Sequence, residues 1–321
     1  MFPKKAIVTG GMGFIGKHVV SQLLKEGFQV LVLDNLETAE NNKEFEIPIR
    51  QIQFGQTPDI IPVQDTAALL RLDLKQATQD QLQKVLMGYP YVFHLAALAR
   101  VEPSIKDPYP YHITNVDASL KLMAAAKNVG VEKFIFSSSS SVYGDPLVTP
   151  TKENSELNPM SPYALHKLIC EQYLDLFATL YNFNSVSLRY FNVYGKGQPT
   201  KGSYVPVMGI FFRQRKNGQP LTITGDGSQT RDFINVEDVA RANVKAALTD
   251  LPEGHSKINI ASGTNYSLRE IAQAISPKLV AAPERFEPHT TLGDISLAKE
   301  VIDWEPTINL MEWIEEFRPK N

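Results

Sequence analysis

Lys5-Ala-Ile-Val-Thr-Gly-Gly-Met-Gly-Phe-Ile-Gly16 runs from an apolar strand through a glycine-rich turn into a helix, and that order decides the fold. Ala6-Ile7-Val8 reads as a buried strand. Gly10, Gly13 and Gly16 make the turn, and Phe14-Ile15, Val19-Val20 and Leu23-Leu24 follow at helical apolar spacing. A glycine triplet is by itself only a turn; between a strand and a helix it has a chemical meaning. Backbone without Cβ atoms can approach a pyrophosphate closely, and the helix N-terminus offers unpaired N–H groups and a positive dipole end. The spacing here is Gly-x-x-Gly-x-x-Gly. It predicts a nucleotide site at the start of the chain.

Outward from this turn, strand-like and helix-like segments alternate over the first 190 residues. Gln29–Leu33 reads as a second strand ending at Asp34, with further strands at Tyr91–Leu95, Lys133–Ser137 and Ser185–Arg189. Helical stretches fall near 79–87, 114–129 and 161–181. That rhythm predicts an α/β protein with a parallel sheet covered on both faces. After Tyr190 it changes: 195–230 reads as loops and short elements, Glu237–Leu248 and Leu268–Ile275 as amphipathic helices, 277–290 as loop and Ser296–Val301 as a short helix. Residues 40–66 are polar and irregular and carry no assignment.

Composition narrows the class. The chain has 321 residues, 43% of them hydrophobic, enough for one large or two small domains with a proper core. A net charge of −3 with scattered Lys and Arg gives no footprint for nucleic acid. No apolar run nears the roughly 18 residues of a membrane span. Met1-Phe2-Pro3-Lys4-Lys5 enters a strand at once, which predicts no signal peptide. The single cysteine, Cys170, excludes a disulfide framework and reads as a packed thiol. These features fit a cytoplasmic protein with no metal centre.

Four places carry chemistry. Asp34 ends the second strand, where a carboxylate accepts hydrogen bonds from an adenosine ribose and repels a 2′-phosphate, so NAD is favoured over NADP; Asp34-Asn35 also suits a plain turn. Tyr163-Ala-Leu-His-Lys167 follows the helix stop Asn158-Pro-Met-Ser-Pro162. It sets a phenol and an ammonium at i and i+4 on one helix face. An ammonium there lowers a phenol's pKa from about 10 and makes Tyr163 a general base; His166 between them reads as surface or packing. The serine run 137–141 leaves the strand Phe134-Ile-Phe136 at its carboxyl end, where open α/β sheets bind ligands; at most two of the five can face a site. Arg231, closing the turn Gly225-Asp-Gly-Ser-Gln-Thr-Arg231, can hold phosphate oxygens or simply pair on the surface.

Taken in order, these segments resemble the extended short-chain dehydrogenase/reductase family, in its nucleotide-sugar epimerase/dehydratase branch, over nearly the whole chain. Val8–Gly16 looks like the family's cofactor loop, Asp34-Asn-Leu36 its ribose position, and Asp73-Leu74 its adenine contact. His94-Leu-Ala-Ala97 resembles the strand end under the nicotinamide ribose, Ser137–Gly144 the segment with the catalytic serine, and Leu188–Gly195 and Gly225–Phe233 segments that grip the sugar nucleotide. The resemblance implies a Rossmann-type doubly wound parallel sheet with a smaller mixed α/β C-terminal substrate domain. The NAD unit would span 1–190 with about 232–250 returning to it; the substrate unit would span 191–231 and 251–321. It implies Ser139, Tyr163 and Lys167 as catalytic. The cofactor would meet Gly10, Gly13, Phe14, Ile15, Gly16, Asp34, Asn35, Asp73, Leu74, Leu95, Ala96, Ala97, Asn115, Ser137, Tyr163, Lys167 and Tyr190. The nucleotide sugar would meet Val101, Ser139, Ser140, Tyr163, Asn192, Val205, Arg231, Arg285 and Thr291.

Within the branch, dehydratases carry acidic residues where this chain has Ser140 and Ser141, and a hydroxyl cannot act as the acid that expels water. The pattern resembles the 4-epimerases: Tyr163 takes the proton of the sugar 4-OH, Ser139 bonds the same oxygen, Lys167 holds the nicotinamide ribose, and a 4-keto sugar rotates before it is reduced. UDP-linked hexoses or N-acetylhexosamines are the implied substrates. A UDP-uronate epimerase, a 4-keto-sugar reductase and a non-catalytic NAD-binding regulator are the alternatives. Thr291 falls at the family's gatekeeper position, where a small residue admits an N-acetyl group at C2. Four positions depart from the family: Arg285 lies two residues before Glu287 rather than three, Thr224 replaces a base-stacking aromatic, Gly197 replaces an arginine, and Lys75 follows Asp73-Leu74. Relatives pair two long helices as a homodimer; helices near 114–129 and 161–181 could supply that face, with Ile169, Tyr173 and Phe177 as interface or core.

Overall fold

The computed structural model describes residues 4–37, 45–54, 66–200, 205–284 and 287–319. Its frame is an eight-stranded sheet, parallel throughout. In chain order the strands are β1 (Lys5–Thr9), β2 (Gln29–Asp34), β3 (Ile49–Ile52), β4 (Ala67–Arg71), β5 (Tyr91–His94), β6 (Lys133–Ser139), β7 (Ser185–Tyr190) and, after further elements, His255–Ile260. Across the sheet the last of these lies at one edge, followed by β7, β6, β5, β1, β2, β4 and β3. The winding therefore changes direction between β1 and β5, and the crevice beyond their carboxyl ends is where such sheets bind ligands.

The sheet is buried on both faces, and strand alternation sorts its side chains between two cores. Ala6 and Val8 of β1, with Val30 and Val32 of β2, pack against Val19 and Val20 of α1 (Phe14–Lys25). Ile7, Leu31 and Leu33 face the other way, onto Leu82 of α2 (Gln79–Leu86) and residues of the helices that follow it. After α3 (Val101–Lys106) and α4 (Pro108–His112), one π-helical turn, Ile113–Asp117, leads into α5 (Ala118–Asn128), where the sequence predicted one continuous helix. The long helix α6 (Pro162–Tyr181) starts with Pro162 in its first turn and Ser161 Oγ accepting from the Ala164 N–H.

Beyond Tyr190 a smaller unit forms. Strand β8 (Asn192–Tyr194) leads to α7 (Val207–Lys216), β9 (Leu221–Thr224) and β10 (Thr230–Asn235), and the next helix, α8 (Val236–Leu248), returns to the large sheet and shares its core with α1. Strand β10 pairs with β8 in parallel and with Asn265–Ser267 antiparallel. The helices 268–275 and 310–317 share a core of Tyr194, Phe211, Ile271 and Trp313 with α7.

Several expectations need correction here. His255–Ile260, placed by sequence with the substrate unit, is an edge strand of the large sheet beside β7. Leu279–Ala282, read as loop, pairs in parallel with β9. The stretch read as loops and short elements contains the ten-residue α7; a Cβ on its Gly209 would lie 2.2 Å from the Pro199 carbonyl oxygen, so that glycine serves packing rather than a turn. Strand β4 was not anticipated, and β3 falls in the unassigned 40–66. Phe177 is buried in the core and Tyr173 packs against it, so these two residues of the stripe are core, while Ile169 is half-buried.

Helix α6 is fastened to the sheet by a buried ion pair. Arg189 of β7 donates from Nε to Glu171 Oε1 at 3.0 Å and from one terminal nitrogen to Oε2 at 2.6 Å. Both side chains are at most 1% exposed. Arg189→Met should cost about 3–5 kcal/mol of unfolding free energy, because it strands a buried carboxylate. Denaturant unfolding checks it; a change under about 1 kcal/mol would mean that water reaches Glu171.

Candidate active site

The glycine turn fits a dinucleotide. Gly10 takes φ +68°, and a Cβ there would stand 2.7 Å from the Ala96 backbone nitrogen; one at Gly16 would stand 2.1 Å from the Gly10 carbonyl oxygen. Gly13 is the N-cap of α1, and among the described residues no side chain caps it, so the first-turn N–H groups are open to an anion. Asp34, at the end of β2, accepts from the Met12 N–H at 2.9 Å and the Leu36 N–H at 2.8 Å. Two backbone bonds orient the carboxylate, and its remaining lone pairs suit a ribose diol. Asp73 accepts from the Lys75 N–H, and Lys75 Nζ lies 3.2 Å from Glu37 and 3.6 Å from Asp73. The lysine that departs from the family thus ties together the two loops beyond β2 and β4.

On the other side of the switch point lies a chain of hydrogen bonds that sequence reasoning missed. The Ala96 N–H donates to Thr9 Oγ1, and Thr9 Oγ1 stands 2.7 Å from His94 Nδ1. His94 Nε2 stands 2.8 Å from Ser119 Oγ, whose hydroxyl donates to the Asn115 carbonyl. The backbone acceptor at the far end fixes the directions: Ser119 gives its only proton to Asn115 and so accepts from His94, and a neutral ring protonated there must accept at its other nitrogen. Thr9 donates to Nδ1, and His94 carries its proton on Nε2. Burial, with the charge of Lys167 adding to it, pushes the His94 pKa down to about 3, so the ring stays neutral. Asn115, in the π-helical turn, accepts from the Leu98 N–H and donates to the Leu98 carbonyl. Leu95, Ala96 and Ala97 are therefore held in place just past β5. The clue in the sequence was a polar histidine closing the apolar strand Tyr91-Val-Phe-His94.

Lys167 and Tyr163 sit one turn apart on α6, as their spacing predicts. Lys167 Nζ donates to the Ser137 carbonyl at 2.6 Å and lies 4.8 Å from the Phe136 ring centroid and 5.9 Å from that of Tyr163. Burial lowers its pKa to about 8, against the raising influence of Cys170 and Glu171. The Tyr163 N–H donates to Ser104 Oγ, which donates to the carbonyl of Val101 at the head of α3. Cys170 is a packed thiol, as expected, and donates to the Asn115 carbonyl. His166 is buried edge-on to His112, a packing residue.

The structure separates the serines. Tyr190 Oη donates to Asn243 Oδ1, so the 3.0 Å contact between Ser137 Oγ and Tyr190 Oη has Ser137 as donor. Ser137 and Tyr190 are both buried, so their hydroxyls face one another beneath the cleft. Ser138 donates to Glu171 Oε1. Ser139 ends β6 half-buried and accepts from both the N–H and the hydroxyl of Ser141. Ser140 heads the short 3₁₀ turn Ser140–Tyr143.

Across the cleft, Asn192 donates to the Asp232 carbonyl. The Asp232 carboxylate, also unforeseen, accepts from the N–H and hydroxyl of Ser262 and from the N–H groups of Gly263 and Gly293. Burial outweighs these bonds and pushes its pKa up to about 6. Thr291 Oγ1 accepts from the Asp232 N–H, so Thr291 anchors β10. Arg231 donates to the Thr230 and His289 carbonyls and lies 3.0 Å from Glu287. That last contact lacks hydrogen-bond geometry, and the Arg231 nitrogen making it has no hydrogen-bond partner among the described residues. Val205 is buried beside α7, and Val101 is exposed. Thr224 accepts from Gln229. Gly197 takes φ +78°, which is why a glycine stands where an arginine is common. Arg285 lies outside the described residues.

Fold and site define the class: the chain belongs to the NAD dependent epimerase/dehydratase family, whose profile matches residues 6–261. NAD is its cofactor. The chain is 35% identical over 339 residues to the UDP-glucose 4-epimerase of Mycolicibacterium smegmatis, covering 99% of each. It superimposes on the UDP-N-acetylglucosamine 4-epimerase of Methanobrevibacter ruminantium, solved with UDP-N-acetylmuramic acid, with TM-score 0.85 and 36% identity over 98% of this chain and 97% of that one. It is also similar to the Thermus thermophilus UDP-glucose 4-epimerase solved with NAD, with TM-score 0.80 and 31% identity over 97% and 96%.

Asp34→Ala should weaken NAD and admit NADP, since the variant loses both the ribose acceptor and the charge that repels a 2′-phosphate. Equilibrium binding of the two cofactors checks this. An unchanged preference would place the ribose elsewhere.

Proposed function

We propose that this protein interconverts the C4 epimers of UDP-linked hexoses, N-acetylated ones included. The observation that carries the reading is the tie between Lys167, one turn from Tyr163 on α6, and the Ser137 carbonyl of β6, the strand whose carboxyl end bears Ser139, in the same sheet whose β1 runs into the glycine cradle of Gly10 and Gly16. Gly10, Gly13, Gly16 and Asp34 would hold the pyrophosphate and ribose of NAD, and Lys167 the nicotinamide ribose. Bound NAD supplies the oxidation and re-reduction of C4.

The chain's own part is proton control and loose positioning. Tyr163, as phenolate, takes the 4-OH proton and later returns it. The Lys167 ammonium stabilises that phenolate from one helical turn away. Ser139 bonds the reacting oxygen. Arg231, one of whose nitrogens has no hydrogen-bond partner among the described residues although it lies 3.0 Å from Glu287, would grip the diphosphate, and Asn192 and Thr291 would border the sugar. Anchoring by the nucleotide diphosphate leaves the ring room to present its other face. Thr291 in place of a bulky aromatic supports acceptance of a C2 N-acetyl group. The smaller unit built on β8–β10 would carry these substrate contacts.

A homodimer through α6 is the assembly we favour. Leu165, Leu176 and Leu180 are 45%, 49% and 58% exposed on that helix, an apolar stripe at helical spacing that water alone does not favour. No described helix is long and apolar enough to cross a membrane. The one cysteine, a buried thiol, fits a cytoplasmic setting.

Purified protein, incubated without added cofactor with UDP-N-acetylglucosamine, UDP-glucose or UDP-glucuronate, should give the galacto epimer of one or more, followed by the H4 signal in NMR. Tyr163→Phe should lose turnover by orders of magnitude and keep its NAD. No conversion even with added NAD would favour a reductase or a non-catalytic binder. Turnover should also fall as pH rises through about 8, where Lys167 sheds its proton; a rate still undiminished near pH 9.5 would show that the ammonium is not required.

A further inference from the structure

Ser139 ends β6 and caps the 3₁₀ turn Ser140–Tyr143. Its hydroxyl oxygen accepts the Ser141 N–H at 3.2 Å and the Ser141 hydroxyl at 2.9 Å. A serine oxygen has two lone pairs and one proton. Both lone pairs are taken by the same neighbour, two residues along, and only the proton is left. From this we infer that Ser141 is a positioning residue: it fixes Ser139 as a pure hydrogen-bond donor to the sugar oxygen. The inference rests on the 4-epimerase reading and deepens it.

The consequence concerns where the proton goes. A serine with a vacant lone pair could accept the substrate 4-OH and compete with Tyr163 for the proton. With Ser141 saturating it, Ser139 cannot accept. The 4-OH proton passes to the Tyr163 phenolate alone, while Ser139 donates to the oxygen as negative charge builds on it and again to the carbonyl oxygen of the keto sugar. No atom needs rearranging between the two half-reactions, which suits a reaction run in both directions. Accepting two hydrogen bonds also polarises the Ser139 O–H and strengthens the one it gives. A carboxylate at 141 would have no proton to offer. It would accept from Ser139 and turn that serine away from the substrate, so the serine at this position is chemically distinct from the acidic residues of the branch's dehydratases.

The test is a double-mutant cycle on NAD-loaded enzyme with the best UDP-sugar substrate. Ser141→Ala should lower kcat about tenfold with KM and retained NAD unchanged, since one hydrogen bond to the reacting group's partner is lost. Ser141→Thr, which restores a hydroxyl, should recover most of the rate. The deciding arm is Ser139→Ala with and without Ser141→Ala. If Ser141 acts only through Ser139, the second substitution has no further effect in the Ser139→Ala background. A full tenfold loss there, or no loss from Ser141→Ala in the parent, overturns the inference while the 4-epimerase reading stands. Failure of the reading itself shows differently, as absence of turnover in the unsubstituted protein.

Discussion

The ion pair between Glu171 and Arg189 is the contact on which the arrangement of the site depends. Two charges removed from water are costly, and a pair in the interior is tolerated only when its geometry is good and its remaining polar atoms are satisfied. Here both conditions hold. The guanidinium meets the carboxylate with two nitrogens, Ser138 adds a donor to Oε1, and Arg189 also donates to the Tyr143 hydroxyl and the Glu153 carbonyl. A slip of α6 by one residue would leave both charges unpaired. Lys167 is one turn before Glu171 and Tyr163 one turn before that, so the register that satisfies the buried pair also sets the phenol–ammonium pair. The same carboxylate touches β6 through Ser138, the residue next to Ser139. The helix that bears Tyr163 and Lys167 and the strand that bears Ser139 are thereby located by a single group.

What the sequence disclosed was whatever depends on neighbours along the chain. The glycine turn, the acid at the end of β2 and the phenol–ammonium pair are each fixed by short spacings, and each stands where its spacing put it. Elements that depend on distant partners were less visible. Ala67-Ala-Leu-Leu-Arg71 has good helix formers and becomes a strand because β2 and β3 flank it. His255-Ser-Lys-Ile-Asn-Ile260 opens on three polar residues and has only two apolar ones, and nothing local says that its partner is Ser185–Tyr190. Asp232 was legible as a residue beside Arg231, but its role comes from loops near 262 and 293 that only folding brings to it. The serine run shows the limit most clearly. Five identical letters have no internal order; the pleat of β6 gives them one, turning Ser137 toward Tyr190 and α8, Ser138 toward Glu171 and α6.

The two sides of the cleft are built on different principles. On the cofactor side, backbone approaches backbone so closely that glycine is required, and side chains such as Asp34 are oriented by main-chain donors before any ligand arrives. On the opposite side, one buried carboxylate, Asp232, gathers three segments of chain, and Arg231 meets Glu287 through charge without a directed bond.

The hydrogen-bonded series from Ala96 through Thr9, His94 and Ser119 to Asn115 has a polarity. Its first member can only give and its last can only receive, so the four links behave as one unit with a sense, like a row of dominoes set to fall one way. Reversing any hydroxyl would put two protons, or none, between neighbouring atoms elsewhere in the row. The carboxyl end of β1 and the π-helical turn before α5 lie about 100 residues apart in the chain, and the series joins them. The imidazole is suited to the middle because its two nitrogens take opposite roles while the ring holds them at a fixed separation. An amide could match those roles but would be free to turn over, and the sense of the series would no longer be unique.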